Sequence, residues 1–376
     1  MQKIAILGST GSIGKNSCLI ADHLGVQVAA LAAHSNIDLL EIQARHFKPE
    51  CLAVFDEAAA RELQKRLPHI PVLAGIEGIS HIASLGGVKT VISAMSGFIA
   101  IEPTIAAIKA GKRVALANKE VLVAAGAYVT AMAGKFGAEL IPVDSEHGAI
   151  FQALKSGNQS EVRRLILTAS GGPFRTFSKE QLQHVTLSQA LRHPSWNMGP
   201  KITIDSSTLF NKGLEIIEAH YLFGIPHDKI EVLIHPTSVV HSMVEFCDGS
   251  TIAQLSVPDM KLPIQYAITY PERAPGITPM LDLTKPFSLD FFPPDSERFP
   301  CLQLAYEALK VEKSMPCFLN AAGEVLVERF MREEIRWIDI AARLEKVMAR
   351  HIPHPVENYD AIISADREAR DLARTI

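Results

Sequence analysis

The 376-residue sequence predicts an α/β protein in four stretches: a Rossmann-like dinucleotide-binding domain over 1–144, a central α+β catalytic domain over 145–270, an extended linker over 271–300 and a C-terminal helical domain over 301–376. Three observations carry this reading. Up to residue 144, short unbroken apolar runs alternate with helical stretches, the pattern of a parallel sheet covered on both faces. A glycine-rich turn follows the first of those runs directly. After residue 145 the strands succeed one another with few helices between them, and the chain beyond 301 is helical in period.

In order, KIAILG, QVAALAA, CLAVF, VKTVISAM, RVALA and AELIPV are the expected strands of the first domain. PTIAAIKAGK and VLVAAGAYVTAMAGKFG are helices with small-residue packing faces. In the second domain RRLILTA, KITID, IEVLIHP, SVVHSMVEF and STIAQLSV read as strands of a mixed or antiparallel sheet. SSTLFNKGLEIIEAHYLFG, from Ser206, opens with Ser/Thr caps and runs on as a helix whose apolar stripe is Phe210, Leu214, Ile217 and Tyr221. Residues 271–300 are proline-rich and weakly periodic. CLQLAYEALKV, NAAGEVLVERFMREE, WIDIAARLEKVMARH and DAIISADREARDLA are the C-terminal helices.

A net charge of −4 gives no reason to expect nucleic acid or an acidic membrane as a partner, so an anionic substrate must be met by local basic groups and backbone amides. No apolar run is long enough to span a bilayer. The chain enters a strand within MQKIAILG, which leaves no room for a signal or transit peptide and predicts a cytoplasmic protein. Cys18, Cys51, Cys247, Cys301 and Cys317 are scattered without paired or metal-type spacing and read as reduced thiols.

The motifs point to a phosphorylated small molecule and a dinucleotide. GSTGSIG at 8–14 places Gly8, Gly11 and Gly14 at a strand–helix junction, where backbone amides and the helix dipole suit a phosphate. The second strand ends Ala33-His34-Ser35-Asn36, with no acid until Asp38, a neutral turn that favours NADP over NAD. Asp144 and Glu146 follow a strand and, in an extended segment, point to one side; such paired carboxylates suit a hard divalent ion, although acids at strand ends are common without one. Asn211, Glu215 and Glu218 share a helix face, with Lys212 beside them. Ser206, Ser207, Asn211 and Lys212 crowd one helix entrance, and Ser170-Gly171-Gly172 forms a turn of similar chemistry. Trp196, in HPSWNMG with His193 and Gly199, suits a lid that excludes water. Lys119 ends a strand where open α/β sheets bind ligands. His235 and His241 have poor zinc spacing and suit the core.

Taken in order, GSTGSIG, LANKE, PVDSEH, SGGPF, HPSWNMG, DSSTLFNKGLE and LIHPTSVVHSMV resemble the motifs of the 1-deoxy-D-xylulose 5-phosphate reductoisomerase family, over essentially the whole chain. The resemblance implies an NADPH-dependent enzyme of isoprenoid precursor synthesis that uses Mn²⁺, Mg²⁺ or Co²⁺. It further implies a small phosphorylated sugar as substrate and a homodimer. By motif position, Asp144, Glu146 and Glu215 would hold the metal, and Lys119 would stand beside the reacting centre. Ser145, Ser170, His193, Ser206, Asn211 and Lys212 would contact substrate, with Trp196 in the flap. Thr10, Gly11, Ser12, Ile13, Asn118, Glu120 and Gly199 would hold NADPH. Many members carry Lys before the Asn of the second-strand turn; here it is Ser35 before Asn36, so coenzyme choice would rest on those neutral groups or on His34. The competing readings are a simple NADP-dependent hydroxy-acid or semialdehyde dehydrogenase, and a nucleotide-sensing protein without turnover.

Overall fold

The computed structural model describes residues 2–196, 198–285 and 287–376. Its contacts gather into two units: 1–121, 129–148 and 259–279 in the first, and 122–128, 149–258 and 280–376 in the second.

The first unit is built on β1 (Lys3–Leu7), β2 (Gln27–Ala33), β3 (Cys51–Val54), β4 (Val72–Ala74), β5 (Thr90–Ser93), β6 (Arg113–Leu116) and β7 (Glu139–Pro142). They form one sheet in the order β4-β3-β2-β1-β5-β6-β7, and every pairing is parallel. Its helices are α1 (Ser12–Leu24), α2 (Ile37–Phe47), α3 (Glu57–Arg66), α4 (Gly75–Ala83) and α5 (Ile101–Lys109), with parts of α6 (Glu120–Phe136) and α7 (Ser145–Ala153). Strands β1, β3, β5 and β6 are buried almost throughout, as unbroken apolar runs require of strands covered on both faces. The strand order reverses between β1 and β5, the point at which open parallel sheets leave a crevice at their carboxyl ends. The three-residue edge strand β4 has no counterpart among the expected strands.

The second unit carries β8 (Val162–Ala169), the short helices α8 (Lys179–Leu182) and α9 (Leu187–Ala190), then α10 (Pro200–Ser207) and α11 (Phe210–Phe223). Next come β9 (Ile230–Ile234), β10 (Val240–Phe246) and β11 (Thr251–Leu255). The sheet is mixed, ordered β11-β10-β8-β9, with β8 and β9 parallel and the other pairs antiparallel. After α12 (Lys261–Thr269), which packs on α1 in the first unit, come α13 (Cys301–Val311), α14 (Met315–Met331), α15 (Trp337–Met348) and α16 (Tyr359–Thr375). One continuous core joins β8–β10, α11 and α13–α16. It packs closely: a Cβ at Gly323 of α14 would fall 2.2 Å from the Phe210 ring of α11.

Two local expectations are corrected. KITID is not a strand but most of α10. Ile202 and Ile204 imitate strand alternation, but Gly199 as N-cap and Pro200 at the first position start a helix, and Lys201 pairs with Asp205 one turn on at 3.0 Å. Consequently Ser206 and Ser207 do not cap the following helix; they form the last turn of α10, and Leu209, at φ 58°, makes the corner into α11. The contact units also cut the chain differently from a linear reading, because 259–279 return to the first unit and the rest of the connector joins the second.

Candidate active site

In the first unit the glycine turn is shaped by backbone crowding. Gly8 has φ 85°, and a Cβ there would lie 2.5 Å from the Ala94 carbonyl oxygen after β5; one on Gly14 would lie 2.1 Å from the oxygen of Gly8. Only glycine fits either position. The Gly8 and Ser9 amides donate to the Ala32 carbonyl at the end of β2, at 2.9 and 2.8 Å. Ser9 is fully buried and exchanges hydrogen bonds with Gln43 of α2, Oγ to Oε1 at 2.7 Å and Nε2 to the Ser9 carbonyl at 2.9 Å. Gln43 escaped the sequence reading, since nothing local ties it to a turn 34 residues earlier. The turn therefore holds Thr10 half-buried and Gly11 and Ser12 exposed at the start of α1, whose first turn carries no acid and whose N-cap, Gly11, offers no side-chain cap. Ile13 follows, half-buried. A phosphate suits amides presented in this way.

At the end of β2, His34, Ser35 and Asn36 are exposed. Asn36 caps α2, accepting the Leu39 amide at 3.2 Å, and Asp38 is paired with Arg66 at 2.7 Å. Asn118, 3% exposed, donates to the carbonyls of Met95 and Gly97 at 2.6 and 3.1 Å and accepts the Val121 amide at 2.9 Å. Its side chain thus fixes the loop after β5 and starts α6. Lys119 and Glu120 beside it are buried, and the Lys119 ammonium lies 2.8 Å from Asp144 Oδ2. Asp144 stands between the end of β7 and the start of α7, Ser145 donates to the Glu146 carboxylate in the first turn of α7, and His147 is fully buried there.

In the second unit the expected substrate residues form one cluster. His193 Nδ1 accepts the amides of Ser195 and Trp196 at 3.2 and 2.9 Å, so Nε2 carries the proton and donates to Ser170 Oγ at 3.0 Å. Burial holds His193 neutral, its pKa lowered to about 4. Ser170 Oγ also accepts the Gly172 amide at 3.3 Å, which leaves its own O–H to donate outward. Gly172, at φ 67°, lies against α10: a Cβ there would be 2.6 Å from the Ser206 carbonyl oxygen. The two phosphate-type turns are thus in contact. Around the Leu209 corner, α11 presents Asn211, Lys212 and Glu215, and both Asn211 and Lys212 donate to the Glu215 carboxylate. Lys212 and Glu215 are 4% and 1% exposed, so this is no solvated helix face. Trp196 is half-buried, its ring 6.3 Å from that of His241; Asn197, within the expected flap, lies outside the described residues. Gly199 caps α10 through backbone alone. His235 bonds the Asp290 carbonyl and Thr237, and His241 bonds Ser256 at 2.8 Å, the core roles expected of them.

The profile described as 1-deoxy-D-xylulose 5-phosphate reductoisomerase matches residues 4–126, and those of its C-terminal domains match 140–223 and 255–372. A protein of that name from Protochlamydia amoebophila is 54% identical over 99% of this chain and 98% of its own length. One from Acetivibrio thermocellus is 52% identical over 100% and 99%. Among solved structures, the reductoisomerase of Zymomonas mobilis in complex with NADPH superposes with a TM-score of 0.94 at 41% identity, covering 100% of this chain and 98% of that one. A second, in complex with NADPH, fosmidomycin and magnesium, gives 0.93 at 38%, with the same coverage.

Proposed function

Because this chain belongs to the 1-deoxy-D-xylulose 5-phosphate reductoisomerase family, we propose how its own residues divide the work of that reaction. The enzyme is an NADPH- and divalent-metal-dependent oxidoreductase and isomerase. It converts 1-deoxy-D-xylulose 5-phosphate to 2-C-methyl-D-erythritol 4-phosphate in the non-mevalonate route to isoprenoid precursors.

The crowded Gly8/Gly14 turn and the uncapped start of α1 fit a dinucleotide phosphate. Thr10, Gly11, Ser12 and Ile13 would meet it, with Ser35 and Asn36 toward the ribose and Glu120 and Gly199 elsewhere along NADPH. Asn118 serves by holding the loop after β5, its side chain being engaged there. Asp144, Glu146 and Glu215 would share one divalent cation; an all-carboxylate oxygen set suits Mg²⁺ or Mn²⁺. Bound there, the cation would supply Lewis-acid polarisation of the substrate's hydroxyketone, and NADPH would supply hydride.

The observation that carries this assignment is Glu215: an acid 1% exposed, with Lys212 and Asn211 on its oxygens. Lys119, poised on Asp144 at 2.8 Å, would donate to the substrate oxygen on which charge develops. Ser145 would orient Glu146 and reach a substrate hydroxyl. Ser170, with its O–H turned outward, would join His193, Ser206, Asn211 and Lys212 in holding the small phosphorylated substrate. Binding energy from the phosphate end would draw Trp196 over the site and exclude water.

We place the enzyme in the cytoplasm as a homodimer, with neither nucleic acid nor membrane as partner. Supporting the dimer, Ile277, Met280, Leu283, Phe287, Leu289 and Phe292 of the connector are apolar and exposed, and β11 is an edge strand. No helix among the described residues is long and apolar enough to cross a membrane. The test is NADPH oxidation with deoxyxylulose phosphate, with and without added Mg²⁺ or Mn²⁺. Turnover should need both substrate and metal; undiminished turnover after exhaustive chelation would sink the carboxylate assignment.

A further inference from the structure

Helix α10 carries Ser206, and its hold on the rest of the second unit decides where that residue stands. It has eight residues, its N-cap is Gly199 without a side-chain cap, and it follows an irregular loop. Besides the core packing of Ile204 and the hydrogen bond that Ser207 Oγ accepts from Trp337 Nε1 at 2.8 Å, an ionic chain ties it, of which Asp205 and Asp366 are buried. Asp205 is 2% exposed and takes Lys201 Nζ at 3.0 Å. Lys201 also lies 3.9 Å from Glu324 Oε1 on α14. The other oxygen of Glu324 receives Arg370 of α16 at 2.6 Å, and Arg370 grips Asp366 through two nitrogens at 2.7 and 3.0 Å. Three acids and two cations thus run from α10 across α14 to α16.

Charges buried in this way are a poor source of stability, because desolvation offsets most of their attraction. The hydrogen-bonded pairs among them, Lys201 with Asp205 and Arg370 with Glu324 and Asp366, are directional and bias geometry. Lys201 and Asp205 share one side of α10, so the attraction of Lys201 to Glu324, 3.9 Å away, favours one rotation of that helix about its axis. Ser206 is the next residue, and its carbonyl abuts the Gly172 turn. A rotation of α10 would therefore move Ser206 relative to Ser170.

We propose that the Lys201–Asp205/Glu324–Arg370–Asp366 network is a positioning device for the substrate's phosphate end, acting by fixing α10 and through it Ser206. This rests on the assignment of Ser206 to the substrate. Glu324 and Arg370 do not themselves touch ligand in this account.

The experiment compares Glu324→Gln, Arg370→Met and Arg370→Lys with wild type, using Ser206→Ala as reference. Glu324→Gln and Arg370→Met should raise KM for deoxyxylulose phosphate about tenfold, with kcat within about threefold and KM for NADPH unchanged, the pattern of lost substrate binding. Inorganic phosphate, used as a competitive inhibitor, should weaken in the same proportion, and Arg370→Lys should recover part of the loss. Thermal melting would show whether each variant is folded. Should Glu324→Gln prove unfolded, Lys201→Met, at a site whose side chain is 35% exposed, takes its place. Folded variants with unchanged KM and phosphate inhibition, or with NADPH binding lost in parallel, would overturn the proposal. If Ser206→Ala leaves KM unchanged, the assignment of Ser206 fails first; if it raises KM and Glu324→Gln does not, only the network's role fails.

Discussion

A carboxylate as buried as Glu215 needs cationic and hydrogen-bonding partners around it. Lys212 donates to it and balances its single negative charge, and the proposed divalent ion would be shared with Asp144 and Glu146. Glu215→Gln keeps the shape and removes the charge: NADPH affinity should be unchanged while metal-dependent turnover falls about 100-fold or more. Fluorescence titration of NADPH beside a turnover assay at saturating Mg²⁺ checks this, and near-wild-type turnover would refute it. His193 and His241 make a second residue-scale case, since burial lowers both to about 4 from an ordinary 6.5. Between those values the native state binds fewer protons than the unfolded chain. Their contribution is therefore full above about pH 6.5 and is lost as pH falls toward about 4. Melting temperature should drop over that window, and His241→Asn should flatten the drop; equal slopes in variant and wild type would contradict the assignment. Sequence exposed the residue types at these positions but not their states. Nothing local shows that Ser195 and Trp196 turn their amides onto His193, because that needs the folded loop.

At the scale of elements, most strands and helices were legible because period and caps are local properties. GSTGSIG predicted the entrance of α1, and the structure adds the reason for its glycines: backbone oxygens stand where a Cβ would go. Gly14→Ala should raise the dissociation constant for NADPH at least about tenfold. Titration of the folded variant tests it, and an unchanged constant would mean the turn can widen at no cost. Helix α10 was not legible. Two isoleucines in alternation outweighed Gly199 and Pro200, and the pairing that settles the matter, Lys201 with Asp205, carries no weight in a strand reading. The Leu209 corner was hidden for a different reason: a leucine at positive φ is disfavoured on its own and persists only where surrounding packing fixes it.

For the whole molecule, the sequence conveyed the kinds of element but not which segments rejoin: the contacts gather into two units, each assembled from separate stretches of chain. Residues 259–279 return to the first unit because α12 packs on α1, a pairing between segments more than two hundred residues apart. Assembly belongs to this scale too. Light scattering at micromolar concentration should give twice the chain mass of 41.0 kDa, and Met280→Asp with Leu283→Asp should shift it toward the monomer. A wild-type mass of one chain would rule out the dimer. The cysteines supply a direct way to watch this. Burial pushes the thiols of Cys18 and Cys301 up to about 12 and raises those of Cys51 and Cys317 as well, whereas Cys247 is exposed in the turn between β10 and the edge strand β11. A maleimide fluorophore added to the native protein would attach at that single point without any engineered substitution. Its emission would then serve as an optical gauge of whether the neighbouring sheet edge is covered.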